Sequence, residues 1–227
     1  MYEPISTTQP PDEQLHRLCA LTVIGGKGKW DFGAEMRFNN VFDPKVPHGT
    51  LVAPKWSSLE KCGAATAYGA MGDMLREEGF PLEDNLPGFG LDRGHVEKYV
   101  KSRPSCHSFY TYIESLFPGD FMAVPVRFDI QGLAPDDALE KIEDAHNYPI
   151  DPVIMLSYLY THHRALGEQV LWLDALGVEV SPDGNGVYKD SCYADRRGKR
   201  LVNVDWNFIM RMRSFRIAPY IVASAIR

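Results

Sequence analysis

The stretch Val202-Asn203-Val204-Asp205-Trp206-Asn207-Phe208-Ile209-Met210-Arg211-Met212 decides the fold class. Its apolar residues recur at every second position, and the positions between them are polar except for Ile209. Successive side chains of a β-strand point to opposite faces of a sheet, so this period of two predicts a long strand. We expect one face of this strand to be buried and the other to carry polar and arginine side chains.

The sequence upstream of this strand predicts two more strands and two tight turns. Short runs at 178–180 and 187–193 flank the turn Asp183-Gly184-Asn185-Gly186, and a second turn at 197–199 precedes the long strand. Glycine next to Asn or Asp is typical of hairpin connections, because these residues accept a positive φ. The C-terminal part is therefore predicted to be an antiparallel β-meander.

Helix signals dominate the rest of the chain. A capping box with Ser57 as N-cap and Glu60 at N3 opens one predicted helix, which Gly79 closes, and the pair Asp151-Pro152 opens another, which Gly177 closes. The predicted helices span 13–24, 57–78, 92–102, 105–117, 135–145 and 151–176, and a strand is predicted over 122–130 with Pro125 favouring an edge position.

These elements predict a single α+β domain over residues 1–227. A helical N-terminal and central part packs on a mainly antiparallel sheet that includes the C-terminal β-meander. Residues 1–12 are expected to form a loose arm, because they are polar and rich in proline. Residues 25–56 combine aromatic residues with prolines and show no helical period, so we expect a long irregular segment there.

Charge is distributed unevenly along the chain. The whole chain carries a net charge of −6, yet the segment from Asp195 to Arg227 holds eight basic residues and two acidic ones. A basic segment attached to an acidic body predicts contact with an acidic partner, which is another protein subunit or another copy of this chain. The predicted interface residues are Arg196, Arg197, Lys199, Arg200, Arg211, Arg213 and Arg216.

Composition sets the expected environment. No apolar run approaches the roughly 18 residues of a membrane span, and the sequence shows no secretion signal. The four cysteines lie far apart and form no CxxC pair. We therefore expect reduced thiols, no membrane partner, and a location in the cytoplasm or within an assembled particle.

Cys62 is the sharpest candidate for catalysis. The run Lys61-Cys62-Gly63-Ala64-Ala65 resembles the nucleophile helix of papain-like peptidases and amidases. The resemblance implies a thiolate nucleophile at Cys62, for which His146 lies in the matching range of sequence as a weak candidate base. If Ser57 caps the helix, however, Cys62 lies more than one turn inside it, where the helix dipole has little effect. We therefore expect a buried structural cysteine and no catalytic residue.

Metal and cofactor motifs are absent from the sequence. His162 and His163 are adjacent, so on a helix they point about 100° apart and cannot share one ion. The turn at 183–186 has the composition of a calcium loop, but Ala194 stands where the loop needs its last glutamate. We expect neither a metal nor a cofactor.

Three hypotheses for the function follow. The first is a non-enzymatic structural or assembly subunit of a larger complex, for example a ring or virion-type particle, that associates through its acidic body and basic C-terminal sheet. The second is a papain-like cysteine hydrolase or amidase that uses Cys62. The third is an adaptor that binds nucleic acid through the basic segment 196–216. The first is preferred because the chain joins an acidic body to a basic C-terminal segment, has a long terminal strand and an irregular aromatic segment, and contains no complete catalytic set.

Overall fold

The computed structural model describes residues 9–21, 30–31, 41–59, 67–84, 98–163, 171–181, 183–188, 190–197, 201–208 and 216–227. Six α-helices lie in these ranges: α1 Pro11–Leu18, α2 Trp56–Leu59, α3 Ala67–Glu77, α4 Pro104–Ser115, α5 Pro135–Asp144 and α6 Pro152–His162. The strands are β1 Gly49–Pro54, β2 Leu82–Asp84, β3 Val100–Ser102, β4 Phe121–Arg127, β5 Tyr148–Pro149, β6 Leu171–Val180, β7 Asp190–Arg197, β8 Leu201–Phe208, β9 Arg216–Ile217 and β10 Tyr220–Ile221. A short 3₁₀ helix follows at Ala223–Ala225.

A four-stranded antiparallel sheet has the order β1-β4-β10-β5. Leu51 of β1 lies opposite Val124 of β4, and all but the last residue of β4 is buried. Pro125 was predicted on an edge strand, but β4 lies between β1 and β10. The interior position is compatible with proline because β10 pairs only with Val126 and Arg127, and the Pro125 carbonyl accepts the Val222 N–H at 2.8 Å.

A six-stranded sheet contains the β-meander. Strands β6, β7 and β8 are consecutive antiparallel neighbours in the order β2-β8-β7-β6-β3, and β9 pairs with β6. Only the pairs β2–β8 and β6–β9 are parallel within the described residues. The predicted α+β class with a mainly antiparallel, C-terminal meander is therefore confirmed, whereas the single-domain organisation stays a prediction.

Helix α6 packs between the two sheets. It contacts β1 of the first sheet and β6 and β7 of the second, and it is buried around its whole circumference except at Tyr160. A helix that is apolar on all sides belongs inside a core. Asp151 caps its N-terminus as predicted, because its Oδ1 accepts the Ile154 N–H at 2.7 Å.

The backbone that follows β5 of the first sheet contacts β6 of the second sheet at Gly177. Its N–H donates to the Ile150 carbonyl at 2.9 Å, and a Cβ atom on Gly177 would lie only 2.9 Å from that same oxygen. Any other residue would push the two backbones apart, so the contact between Gly177 and Ile150 requires glycine.

Four of the predicted helices needed correction. The helix predicted over 13–24 begins at Pro11 and ends at Leu18. The helix predicted over 151–176 includes no helical residue from Leu171 onward, because 171–180 is β6, and the segment 92–102 ends in β3 instead of a helix. The capping box at Ser57 is also wrong, because α2 begins at Trp56 and ends at Leu59. The predicted stop at Gly79 is confirmed by its φ of 74° after α3, and the helices predicted over 105–117 and 135–145 are confirmed as α4 and α5.

The register of β8 shows which residues of β7 lie beside the alternating stretch. Val204 pairs with Ala194, Asp205 with Tyr193 and Trp206 with Cys192, and all three β7 partners are buried. The strand is confirmed over Leu201–Phe208. The burial of its side chains and the part of the prediction that covers 209–212 lie outside the described residues and stay a prediction.

Candidate functional site

Asp151 lies beside a small cavity between the helices and the six-stranded sheet. Trp56, Tyr68, Ser102 and Val178 line this cavity together with Asp151. The space open to the centre of a water-sized sphere is about 20 Å³, which holds about one water molecule. This cavity therefore has room for about one water molecule beside the Asp151 carboxyl.

Two N–H donors hold the Asp151 carboxyl in place. Its Oδ1 accepts from Ile154, and its Oδ2 accepts from the indole Nε1 of Trp56. The carboxyl is fully buried, and burial raises its pKa to about 7, with a smaller contribution from Glu114 in the same direction. The backbone N–H of Ile154 and the Trp56 indole oppose this rise in the pKa, because they stabilise the ionised form.

Glu114 of α4 fixes the position of Trp56. Its carboxylate accepts the backbone N–H of Trp56, and the Ser57 N–H lies 3.4 Å from both carboxylate oxygens. This carboxylate therefore caps α2 from another helix. The indole of Trp56 also packs on Tyr110, with ring centroids 4.9 Å apart.

The chemistry that the described residues of this cluster offer is proton binding by a buried carboxyl. Cys106 lies on the same helix as Glu114, but burial raises the pKa of its thiol to about 12, so it is no thiolate at neutral pH. The ring of His107 lies 5.7 Å from that of Trp56 at the exposed surface. Within the described residues no nucleophile and base are paired here, and a perturbed buried carboxyl is the single chemical signal.

A second polar cluster lies on one face of the six-stranded sheet. The Arg216 guanidinium binds both carboxylate oxygens of Asp174, with Nε at 3.0 and 2.8 Å, and both side chains are 1% exposed. The stacked rings of Trp172 and Tyr193 lie 5.6 and 5.8 Å from the guanidinium. Burial raises the pKa of Asp174 to about 6 against the opposing effect of Arg216, so the pair is charged at neutral pH.

This placement corrects the interpretation of Arg216 as an exposed interface residue. Its acidic partner is Asp174 of the same chain, because β9 lies beside β6 in the sheet. Arg227, which the charge count also included, lies 3.6 Å from Asp43.

The other predicted interface residues remain a prediction. Arg196 and Arg197 end β7 at its connection to β8, but their side chains lie outside the described part of the chain. Lys199, Arg200, Arg211 and Arg213 fall in ranges that the structure does not describe.

The candidate nucleophile pair is not brought together by any described contact. Cys62 lies outside the described residues, and His146 is exposed with a φ of 54° directly after α5. His162 is 1% exposed, and both its ring nitrogens bond within the chain, so it is a core residue. Among the residues that the structure describes, no group of His, Cys, Asp or Glu could hold a metal ion.

Sequence reasoning missed the role of three polar residues. Asp151 was recognised only as a helix cap, and Glu114 and Asp174 were not singled out. Asp151 follows a buried Ile150 and precedes a long apolar helix, which is a signal that this carboxyl is buried. Nothing local to Glu114 or Asp174 indicates their partners, which are 58 and 42 residues away.

Comparisons with known proteins give no relative. No protein-family model, no curated protein and no solved structure matches the chain. In the described ranges, none of the helices combines the length and apolar character that a bilayer crossing requires.

Proposed function

We propose that the chain is a structural subunit of a larger protein assembly. It associates through the basic hairpin, defined here as residues 196–200, which join the end of β7 to the start of β8. The observation that carries this proposal is the concentration of four basic residues in these five positions of a chain whose net charge is −6. The absence of a paired nucleophile and base in the described residues is consistent with a role in assembly.

Helix α5 offers the complementary surface. Its five acidic residues are all exposed: Asp136, Asp137, Glu140, Glu143 and Asp144. A basic hairpin on one copy facing an acidic helix on the next is a contact between unlike patches. Such head-to-tail contacts close into rings or extend into filaments, in contrast to two-fold dimers. This geometry supports a ring or a virion-type particle.

The pairing of Arg216 and Arg227 inside the chain sharpens the charge argument. Both have acidic neighbours in their own chain, so the proposal rests on the remaining basic residues of the segment, which are Arg196, Arg197, Lys199, Arg200, Arg211 and Arg213. Complementary charge mainly speeds and orients encounter between subunits. Assembly should therefore depend on salt, since exposed charges are screened beyond about 10 Å at 0.1 M.

The test is a charge reversal measured by analytical ultracentrifugation. The triple variant Arg196→Glu, Arg197→Glu, Arg200→Glu should weaken association at least about tenfold, because the steering field is inverted. The matched control Arg76→Glu, Lys101→Glu, Arg127→Glu makes the same change in net charge at exposed sites away from the hairpin. This control should assemble like the wild type.

A compensating variant identifies the partner surface. Replacing Asp137, Glu140 and Glu143 by lysine should restore association between copies that carry the triple reversal. If the reversal alone assembles as the wild type does, the assembly proposal is wrong. If it fails to assemble and the compensating variant does not restore it, the acidic partner is a different protein.

A further inference from the structure

Gln14 of α1 closes the open edge of the four-stranded sheet. Strand β1 is the outer strand of this sheet, and the Gln14 side chain lies against it with no exposed surface. The Gln14 amide Nε2 donates to the Thr50 carbonyl at 2.8 Å, and its Oε1 accepts the Val52 N–H at 2.9 Å. Its second N–H donates to the carbonyl of Gln9 at 2.6 Å, so both amide N–H groups and the amide oxygen have partners.

This arrangement imitates one residue of an added strand. In a parallel pair, one residue donates to the carbonyl before its neighbour and accepts from the N–H after it. The carboxamide of Gln14 does the same across Leu51. Unpaired strand edges recruit other chains, and covering them with a helix is one way to prevent this. Helix α1 is therefore a cover for the β1 edge.

The cover is fastened to the end of α6 by His162. The ring Nε2 accepts the backbone N–H of Gln9 at 2.8 Å, and Nδ1 lies 3.1 Å from the Tyr158 carbonyl, to which it donates. One nitrogen accepts and the other donates, which requires a neutral ring. Arg17 of α1 donates to the carbonyl of Thr161 beside the ring.

We propose that α1 is a strap that acid releases. Protonation of His162 breaks its hydrogen bond with the Gln9 N–H, and α1 then detaches and uncovers the β1 edge. A protonated Nε2 is a donor that faces another donor. The new positive charge would also lie close to the Arg17 guanidinium, which already disfavours it. The charges of Glu78, which follows α3, and of Arg17 both act on Tyr160, and the uncharged ring of Tyr158 stacks on His162 at 4.4 Å. This inference is independent of the proposed assembly role.

The direction of the pH effect follows from linkage. Burial lowers the pKa of His162 to about 4, compared with 6.5 for the free side chain. The docked strap is therefore fully favoured above pH 6.5 and loses stability as the pH falls towards 4. Between pH 7 and pH 5 the ratio of released to docked strap should rise about 20-fold.

Hydrogen exchange at Val52 measures this release directly. Its N–H bonds Gln14, whereas the alternate amides of β1 face β4 and provide an internal reference. After correction for the intrinsic exchange rate, protection of Val52 relative to Leu51 should fall about 20-fold from pH 7 to pH 5. His162→Gln stays neutral and should abolish this fall. His16 is an exposed histidine on α1, and His16→Gln should leave the fall in Val52 protection unchanged.

A second variant keeps the proposal testable if His162→Gln does not fold. Gln9→Pro removes the N–H that binds the ring and lies outside the core. It should lower Val52 protection already at pH 7 and leave little further response to acid. The proposal would be overturned if Val52 protection in the wild type were the same at pH 7 and pH 5. It would also be overturned if acid lowered this protection in the His162 and Gln9 variants as much as in the wild type.

Discussion

The Arg216–Asp174 pair is a buried ion pair whose two side chains are both 1% exposed. A buried ion pair gives little net stability, because both partners lose their water. Removing one partner is costly, however, since the remaining charge is buried without compensation. Both side chains are 1% exposed and the rings of Trp172 and Tyr193 pack beside the guanidinium, so solvent does not compensate the remaining charge.

Arg216→Leu is expected to lower the free energy of unfolding by about 3–5 kcal/mol. The double variant Arg216→Leu, Asp174→Leu should recover part of this loss, because no isolated charge remains. Arg227→Leu is the matched control, since its pair with Asp43 is 3.6 Å long and exposed, and it should cost at most about 1 kcal/mol. Urea unfolding measures all three, and equal losses for Arg216→Leu and Arg227→Leu would contradict this account.

The same residue shows what a sequence can and cannot reveal. Arg216 belongs to a basic segment, and composition alone assigned it to an exposed interface. Its burial depends on the parallel pairing of β9 with β6, which brings together residues 42 positions apart. Charge counts locate a basic segment, but they do not identify which of its residues have partners inside the chain.

At the scale of elements, local signals gave correct predictions and distant partners caused the errors. Asp151 caps α6 through an N–H three residues away, so the pair Asp151-Pro152 sufficed to place that helix start. The start of α2 is capped by Glu114 from α4, so the local capping box at Ser57 predicted the wrong helix start. Residues 171–176 could extend a helix by periodicity, and their pairing with β7 and β9 makes them a strand.

The alternating stretch in β8 leads to a prediction about its apolar face. Trp206 pairs in register with the buried Cys192, so Trp206→Ala should lower the free energy of unfolding by roughly 3–5 kcal/mol. Asn207→Ala, at the next position of the strand, should have a much smaller effect. Thermal unfolding of both variants tests this. A near-neutral Trp206→Ala would mean that this face does not belong to the core.

For the whole molecule, two buried groups bind protons with opposite effects on stability. Burial raises the pKa of Asp151 to about 7 from 3.8, so the folded state holds this proton more tightly than the unfolded chain does. Its contribution is greatest below pH 3.8 and is lost as the pH rises to 7. The depressed pKa of His162 acts in the opposite direction over the same range.

Asp151→Asn should separate the two contributions. Asparagine keeps an acceptor for the Ile154 N–H but turns an amino group towards the Trp56 indole, so the variant should be destabilised at pH 4.5. The difference in the free energy of unfolding between this variant and the wild type should shrink as the pH rises to 8, by an amount on the order of 4 kcal/mol at most. Glu114, Tyr110 and Cys106 face the carboxyl and stay unchanged.

Chemical unfolding at four pH values measures this difference. Asp144→Asn, an exposed acid on α5, is the control and should show no such trend. A destabilisation by Asp151→Asn that is constant from pH 4.5 to pH 8 would mean that the Asp151 carboxyl titrates as it does in the unfolded chain.

The order of the strands in the first sheet also sets the timing of folding. Strand β4 pairs with β1 on one side and with β10 on the other, and Phe42 forms a bridge with Ile226. This sheet therefore unites segments from both halves of the sequence. On a ribosome, β1 and β4 emerge long before β10, so one side of β4 stays without its partner until residues 220–221 have been made. Such long-range closure is slow, on the order of milliseconds to seconds, and the nascent chain must pass through a stage with an open sheet.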